Sequence, residues 1–270
     1  MYENPTSYRD SRGVNWSTLS AMRTSPAAYH YRLTTPREST AAMDLGRLIH
    51  SCVLEPDLVA AHYAVWEGGR RGTNEHKAWV AENEGREITT AADMDKAQAI
   101  AAAVWAHPAA RRALHGGHVE VPLHWTDPAT RMRCRGRVDH VRYGRTETAL
   151  TDLKTTRDIS PRAFGRNVEM FGTHGQLALY RRGLDVLGFK PGPVKIVAVT
   201  QEPPHEVAVY VLPDEVLYAG EVLIDRLLAE VKLWRSRRRW PVRYEEETPL
   251  MFPTWALPND DMFTDEIEVL

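Results

Sequence analysis

The chain has 270 residues, of which 43% are hydrophobic and 26% are charged, with 34 Lys or Arg against 36 Asp or Glu. This composition is typical of a globular protein with a full hydrophobic core, and it excludes collagen, a coiled coil or disorder as the main architecture. A net charge of −2 argues against a protein that coats nucleic acid through bulk charge, although it allows a local basic patch.

Cysteine content and hydropathy predict the cellular setting. Two cysteines, Cys52 and Cys134, are too few for a disulfide framework or for a four-cysteine zinc or iron–sulfur site. No segment approaches the roughly 20 consecutive apolar residues that span a membrane, and the opening residues MYENPTSYRDSR lack the apolar core of a secretory signal. We therefore expect a cytoplasmic protein with reduced thiols and no membrane partner.

The first two segments of the chain are predicted to be helical. Residues 15–33 predict a short helix that is capped by Asn15 or Ser17, stops at Pro26 and then restarts. Residues 41–54 carry apolar side chains at helical spacing, which places His50 on a helix beside its apolar face.

The next region is less regular. Residues 57–90 are mixed in composition and rich in Gly and Arg. Residues 89–117 then predict two helices, the first ended by Pro108 and the second by Gly116-Gly117. We interpret residues 14–117 as a helical excursion that precedes the core of the domain.

From about residue 118 to residue 240, strand and helix patterns follow one another. Three segments with a period of two precede a helix capped by Ser160, two further strands and a long helix. These segments are, in order, 119–126, 132–143, 147–156, 160–189, 194–201, 206–212 and 213–239. The order predicts a single α/β domain over residues 1–240, with one mixed sheet flanked by helices.

The last segment, residues 241–270, is rich in Pro and in acidic residues. Residues 244–270 contain eight Asp or Glu and no Lys or Arg, so residues 1–243 carry 34 basic and 28 acidic groups, a net charge of +6. We expect this tail to be extended or partly disordered, either as a solvated segment or as a docking segment for a partner.

Two consecutive predicted strands carry the pattern Asp139, twelve residues, then Asp152-Leu153-Lys154. In a hairpin of this length, the two aspartates can lie side by side on one face of the sheet. Adjacent carboxylates repel each other unless a cation lies between them, and oxygen ligands favour Mg²⁺ or Mn²⁺ over zinc. Such an ion activates water for phosphodiester hydrolysis, and the Lys154 ammonium can orient that water or stabilise the developing charge.

A solvated network of ion pairs is the alternative, in which the two aspartates pair with Arg135, Arg137 and Lys154 on an exposed hairpin. The position of the third strand favours a metal, because charged residues in a covered central strand are costly unless they are ligated. Glu120, on the polar face of the preceding strand, can reach the same site or can be a plain surface residue.

Four further side-chain positions favour a nucleic-acid site. Gln176 and Tyr180 are four residues apart on a predicted helix, so they share one face. Arg135 and Arg137 share a strand face with Asp139, and a guanidinium fork suits a phosphate better than a lone ammonium. Without a metal nearby, the same arginines would simply be a solvated strand face.

Four ordered motifs resemble the RecB-type branch of the PD-(D/E)XK nuclease superfamily: GRLIH (46–50), RGRVDHV (135–141), LTDLKTT (150–156) and GQLALY (175–180). Within that branch, RRGTNEHKAWVAENEG, AHPAARRAL and the opening WSTLSAMRTSPAAY are similar to the nuclease domain of RecE, exodeoxyribonuclease VIII, and to related phage exonucleases. The resemblance covers roughly residues 14–240. The second acidic residue is Asp, as in RecE-like members, and two cysteines exclude the iron–sulfur nucleases of the branch.

The resemblance implies a role for each matching residue. The implied metal ligands are His50, Asp139, Asp152 and the carbonyl of Leu153, and the implied cofactor is Mg²⁺, for which Mn²⁺ can substitute. Lys154 would be the catalytic lysine. We count Glu120 as a further catalytic candidate, together with His50, Asp139 and Asp152. The DNA-binding candidates are Gln176, Tyr180, Arg135, Arg137 and Thr155.

The resemblance also implies an activity. It is that of a metal-dependent exodeoxyribonuclease that degrades linear double-stranded DNA from its ends, 5′ to 3′, and leaves 3′ single strands for recombination by annealing. The implied partners are DNA ends, a RecT-like single-strand annealing protein and further copies of the chain in a ring. The residues by themselves support only phosphodiester hydrolysis, so a repair or restriction endonuclease and a non-catalytic DNA-binding subunit remain alternatives.

Overall fold

The computed structural model describes residues 13–36, 38–70, 72–254 and 257. Its N-terminal part begins with helix α1 (Trp16–Leu19), a 3₁₀ turn and helix α2 (Pro26–Thr34). Asn15 caps α1 by accepting a hydrogen bond from the Thr18 N–H. The predicted interruption at Pro26 is confirmed, since the 3₁₀ turn ends at Arg23 and a new helix follows. Pro26 opens α2 with Ser25 as its cap, because the first turn of a helix does not use the N–H that proline lacks.

The excursion contains the predicted helices, two further helices within residues 57–90 and one pair of strands, and neither of these additions was predicted. Its helices are α3 (Ala41–Leu54), α4 (Val59–His62), α5 (Asn74–Glu82), α6 (Ala91–Ala106) and α7 (Pro108–Leu114). Strands β1 (Tyr63–Trp66) and β2 (Glu87–Thr90) pair in parallel as a separate sheet. Each has only four residues, which is too short to show a period of two in the sequence.

A five-stranded mixed sheet forms the core. Its strands are β3 (His118–Thr126), β4 (Arg133–Tyr143), β5 (Thr148–Thr156), β6 (Pro191–Thr200) and β7 (Val207–Val211), in the order β3-β4-β5-β6-β7. Within this sheet, as far as the structure describes the chain, β5 and β6 are the only neighbours that pair in parallel. The predicted mixed sheet and the central place of β5 are both confirmed.

Three further helices complete the core: α8 (Pro161–Met170), α9 (Thr173–Val186) and α10 (Asp214–Arg237). The prediction of one helix over residues 160–189 is wrong, because Gly172 adopts a left-handed conformation (φ 70°) that ends α8 before α9 begins. Ser160 holds the N-cap position of α8 but makes no side-chain cap hydrogen bond.

The sheet separates two hydrophobic clusters. One contains side chains of α1, α9 and α10 together with Leu150 of β5. The other contains side chains of α3, α6 and α7 together with Leu153 of β5. Leu150 and Leu153 therefore pack on opposite faces, as the period of two predicts.

The C-terminal segment leaves the core after α10. Residues 241–253 form no helix or strand, and the extended or partly disordered tail stays a prediction. Its start is held to α2, where the Ala27 N–H donates to the Pro241 carbonyl and Trp240 stacks on His30. The predicted behaviour of residues 255, 256 and 258–270 lies outside the described residues.

Neither cysteine forms a disulfide; both thiols are buried. Within the described ranges, no helix combines the length and apolarity needed to cross a membrane.

The close approach of α9 and α10 depends on Gly220. A Cβ at this position would overlap the carbonyl oxygen of His174 and lie 2.8 Å from Ala178 Cβ. We expect Gly220→Ala to lower the free energy of unfolding by about 1–3 kcal/mol, as for overpacking of a core. Urea denaturation followed by circular dichroism measures this change.

Gly165→Ala is the matched control, because Gly165 lies in α8 with nothing within 4 Å of its added Cβ. There alanine should be neutral or stabilising by up to ~1 kcal/mol, as in an exposed helix. Equal effects at the two positions would contradict the packing argument.

Candidate active site

The two predicted aspartates lie where strands β4 and β5 separate. The β4–β5 ladder runs from Tyr143 opposite Thr148 to His140 opposite Thr151, so Asp139 and Asp152 occupy the next position in register. Beyond that point the Asp139 side chain replaces a backbone partner, because the Leu153 N–H donates a hydrogen bond to Asp139 Oδ2 at 2.8 Å. Asp139 and Asp152 therefore both lie at the fork where the two strands separate. That their carboxylates lie side by side on one face of the sheet stays a prediction.

His50 reaches this fork from helix α3. Its neighbours Leu48 and Ile49 are fully buried in the same cluster as Leu153, which fixes the helix against this face of the sheet. His50 Nδ1 lies 3.6 Å from Asp139 Oδ2. The helical histidine predicted from the GRLIH motif is therefore next to the first aspartate.

Glu120 also reaches the site, through an unusual backbone conformation. Its φ of +50° lies in the left-handed region, which costs a non-glycine residue about 1 kcal/mol or more. The predicted alternation of β3 fails here, since Val119 packs with the α3 side of the sheet and Val121 with the α9 side. Glu120 lies between these two valines, at the register position opposite Asp139.

His50, Glu120 and Asp139 together form a group suited to a metal ion. One ligand atom from each residue lies within 4.8 Å of the other two. Glu120, which the sequence placed among the catalytic residues rather than the ligands, belongs to this group, whereas Asp152 does not. No pattern in the sequence predicts the backbone conformation that turns Glu120 into the site.

Asp152 and Lys154 form a buried ion pair beside that group. The Asp152 side chain is 1% exposed, and its Oδ2 lies 2.8 Å from Lys154 Nζ. Asp152 Oδ1 is fully buried and has no hydrogen-bond partner among the described residues. A carboxylate oxygen in this position costs free energy unless a cation approaches it.

Burial and neighbouring charges shift the protonation of these groups. Burial, with the Asp139 charge acting in the same direction, raises the pKa of Glu120 to about 7, although Arg137 opposes the shift. Burial likewise raises the pKa of Asp152 to about 7, against the effect of Lys154. In both carboxyl groups the effect of burial on the pKa exceeds that of the neighbouring basic side chain.

The protonation states of His50 and Lys154 also follow from burial and neighbouring charges. Burial lowers the pKa of His50, so its imidazole is neutral at pH 7 and can offer a lone pair to a metal. Burial also acts to lower the pKa of Lys154, but the charges of Asp152 and Asp139 outweigh it and the net shift is upward. Lys154 therefore carries its ammonium at neutral pH.

Helix α9 places the predicted Gln176–Tyr180 pair against the same sheet. Gln176 Nε2 donates to the Tyr180 hydroxyl at 3.2 Å, so the two residues share a face as expected. The Tyr180 ring lies over Gly136, where an added Cβ would be 2.6 Å from a ring carbon. Gly136 is therefore needed for this close approach, which explains the glycine of the RGRVDHV motif.

The remaining DNA-binding candidates differ in their surroundings. Arg137 Nε forms an ion pair with Glu120 Oε2 at 2.6 Å. The backbone N–H of Arg135, two residues earlier, donates to Val14. Thr155 Oγ1 accepts a hydrogen bond from Gln201 Nε2 at 3.1 Å. Their roles toward DNA stay predictions, as does the carbonyl of Leu153 as a ligand.

Comparison with known proteins gives a family match and a structural match. The model of a PDDEXK-like domain of unknown function (DUF3799) matches residues 15–248. The crystal structure of a candidate exonuclease from Eubacterium rectale superimposes with a TM-score of 0.62 at 16% identity, covering 98% of this chain and 100% of that one. At this identity the match shows a shared fold. The search of curated proteins gave no match.

A second solved structure, SSO0001, aligns at 14% identity over 74% of this chain and 89% of its own, with a TM-score of 0.29. A score this low carries no argument about fold or function.

Proposed function

The chain belongs to the family of PDDEXK-like domains (DUF3799), and from this membership we propose that it is a metal-dependent nuclease, in particular an exodeoxyribonuclease. The observation that carries the proposal is the arrangement of His50, Glu120 and Asp139 around one point, beside the buried Asp152–Lys154 pair. A neutral imidazole, carboxylates and an ammonium in one place are the groups that metal-assisted phosphodiester hydrolysis uses.

The donor atoms present fit a hard divalent cation. His50, Glu120 and Asp139 would hold it, and Asp152 Oδ1, which has no hydrogen-bond partner among the described residues, would be a further oxygen ligand. When bound, Mg²⁺ would lower the pKa of the attacking water, and its positive charge would stabilise the negative charge that develops on the phosphate. Mn²⁺ accepts the same ligands and is expected to substitute.

The protein side chains would carry the remaining steps. Lys154, fixed by Asp152 at 2.8 Å, holds its ammonium at a defined position, where it can orient the water and stabilise negative charge on the phosphate. The hydrogen bond from the Leu153 N–H helps to hold the Asp139 carboxylate in place at the site. Gln176 and Tyr180 would lie beside the bound strand.

The proposed substrate is linear double-stranded DNA, degraded from its ends in the 5′-to-3′ direction. Two observations support this choice: the motifs that resemble RecE-type phage exonucleases, and the fold shared with a protein that is named as a candidate exonuclease. The net charge of +6 over residues 1–243 suits a polyanionic substrate. We propose two kinds of partner. One is a single-strand annealing protein of RecT type, which would act on the 3′ strands in recombination. The other is further copies of this chain, which would form a ring.

A digestion of matched DNA forms tests the exonuclease reading. With Mg²⁺ present, we expect linear duplex to release acid-soluble nucleotides, while the same DNA as a covalently closed circle stays intact, because a circle has no end to enter. Agarose electrophoresis follows both forms, and EDTA is the control. Rapid linearisation of the circle would identify an endonuclease, and equal results with Mg²⁺ and EDTA would contradict metal dependence.

The polarity is tested on linear duplex labelled separately at its two ends. A 5′ label should be released at the start of digestion, whereas a 3′ label should remain until late in the time course. The reverse order would contradict the proposed direction while leaving the nuclease activity in place.

A further inference from the structure

The ion pair between Arg137 and Glu120 joins two groups that the proposed reaction needs separately. Arg137 Nε lies 2.6 Å from Glu120 Oε2, and the two side chains are 39% and 16% exposed. Glu120 is also one of the three residues whose ligand atoms converge within 4.8 Å. One carboxylate is therefore shared between a guanidinium and the candidate metal position.

A divalent cation and Arg137 compete for this carboxylate. Mg²⁺ prefers carboxylate oxygens as ligands, so an ion held by His50, Glu120 and Asp139 would draw the Glu120 carboxylate away from the guanidinium. A second positive charge beside the guanidinium also repels it at this short range. Loading of the ion at Glu120 thus weakens the hold of Glu120 on Arg137.

The position of Arg137 determines where the released guanidinium can act. Arg137 lies on β4 two residues before Asp139, so the two side chains leave the same face of the strand, about 6.6 Å apart along it. A phosphate that contacts a metal at Asp139 is within reach of that side chain. A guanidinium fork binds phosphate oxygens in pairs, which an ammonium cannot do.

We propose that Arg137 is a metal-gated phosphate ligand: Glu120 holds it in the metal-free protein, and metal loading frees it to bind the DNA strand at the site. The inference rests on the proposed function, because it assumes that the site binds a metal and DNA. It adds a coupling between the two, so that the protein binds DNA tightly only when it is ready to cleave.

Titration of Ca²⁺ into the protein without DNA tests the first half. Ca²⁺ takes oxygen ligands as Mg²⁺ does, and calorimetry measures its affinity. Arg137→Met removes the competitor, so the variant should bind Ca²⁺ about two- to fivefold more tightly than the wild type, the range expected for a partly exposed ion pair. An unchanged or weaker affinity would overturn the proposal.

Binding of a fluorescent linear duplex, with Ca²⁺ and with EDTA, tests the second half. In the wild type, Ca²⁺ should strengthen DNA binding, and in Arg137→Met this gain should shrink about tenfold. Gel electrophoresis confirms that the duplex stays intact. If Arg137→Met does not fold, Arg137→Lys replaces it, with the same direction and a smaller change, because lysine keeps the charge without the fork.

Arg133→Met is the matched control, four residues earlier on the same strand face and exposed. It should weaken DNA binding equally with and without Ca²⁺ and leave the Ca²⁺ affinity as it is. The outcomes distinguish a failure of the proposed nuclease function from a failure of the gating of Arg137. A wild type that binds no Ca²⁺ overturns the proposed function and this inference together. A wild type that binds Ca²⁺ and cleaves DNA with Mg²⁺, with an unchanged gain in Arg137→Met, overturns this inference alone.

Discussion

Asp139→Asn should abolish both metal binding and DNA cleavage. The substitution keeps an oxygen that can accept the hydrogen bond from Leu153 N–H, so the fold at the fork should survive. It removes the charge from the central member of the group that includes His50 and Glu120. Loss of metal assistance removes several kcal/mol of transition-state stabilisation, which corresponds to a fall in cleavage rate of about 10³-fold or more.

Two measurements check this result. Single-turnover digestion of a linear duplex with Mg²⁺ gives the rate, and thermal unfolding with and without Mg²⁺ reports binding, since a ligand that binds only the folded state stabilises it. The wild type should gain stability with Mg²⁺, and the variant should not. Asp225→Asn, which changes an exposed carboxylate paired with Arg182 at 2.7 Å, is the control and should behave as the wild type. Cleavage by Asp139→Asn at the wild-type rate would exclude Asp139 as a ligand.

Lys154→Met should separate cleavage from binding. The methionine preserves most of the length of the side chain but removes the ammonium that lies 2.8 Å from Asp152 Oδ2. Loss of one preorganised electrostatic group lowers kcat by about 10²- to 10³-fold. The ligand atoms of His50, Glu120 and Asp139 remain, so metal binding should persist.

Cleavage rate, Ca²⁺ affinity and DNA affinity are measured on the same preparation, at a temperature where circular dichroism shows a folded protein. Lys96→Met applies the same substitution to an exposed ion pair with Glu202 and should cleave at the wild-type rate. A fall in DNA affinity with unchanged turnover would instead make Lys154 an anchor for a phosphate. Neither result for Lys154→Met bears on Asp139, whose role as a ligand is tested by Asp139→Asn.

The core of the site could be predicted from local patterns. The period of two placed Asp152 and Lys154 on one face of a strand, and their ion pair at 2.8 Å agrees with it. Helical spacing placed Gln176 and Tyr180 on one face of α9, where they form a hydrogen bond. These features depend on residues close together in the chain, for which backbone geometry fixes the relative positions.

Other features could not be predicted, because they depend on contacts between distant segments or on single backbone angles. The left-handed residue Gly172 divides a continuous helical pattern into α8 and α9. The parallel pair β1–β2 joins segments 24 residues apart, each too short to show a period. Alternation within β3 fails at Glu120, whose positive φ sends Val119 and Val121 to different sides of the sheet.

The sequence by itself determined the order of the five strands of the core sheet, the mixed sheet with β5 at its centre, and the two strands that carry Asp139, Asp152 and Lys154, since all of these follow from local period and strand order. Only the tertiary structure decided which side chains share the metal position. It brought His50 from α3 and Glu120 from β3 to Asp139, and left Asp152 with Lys154. The physical reason is that a ligand group forms where separate elements pack together, and one strained residue there can turn a carboxylate toward the site or away from it.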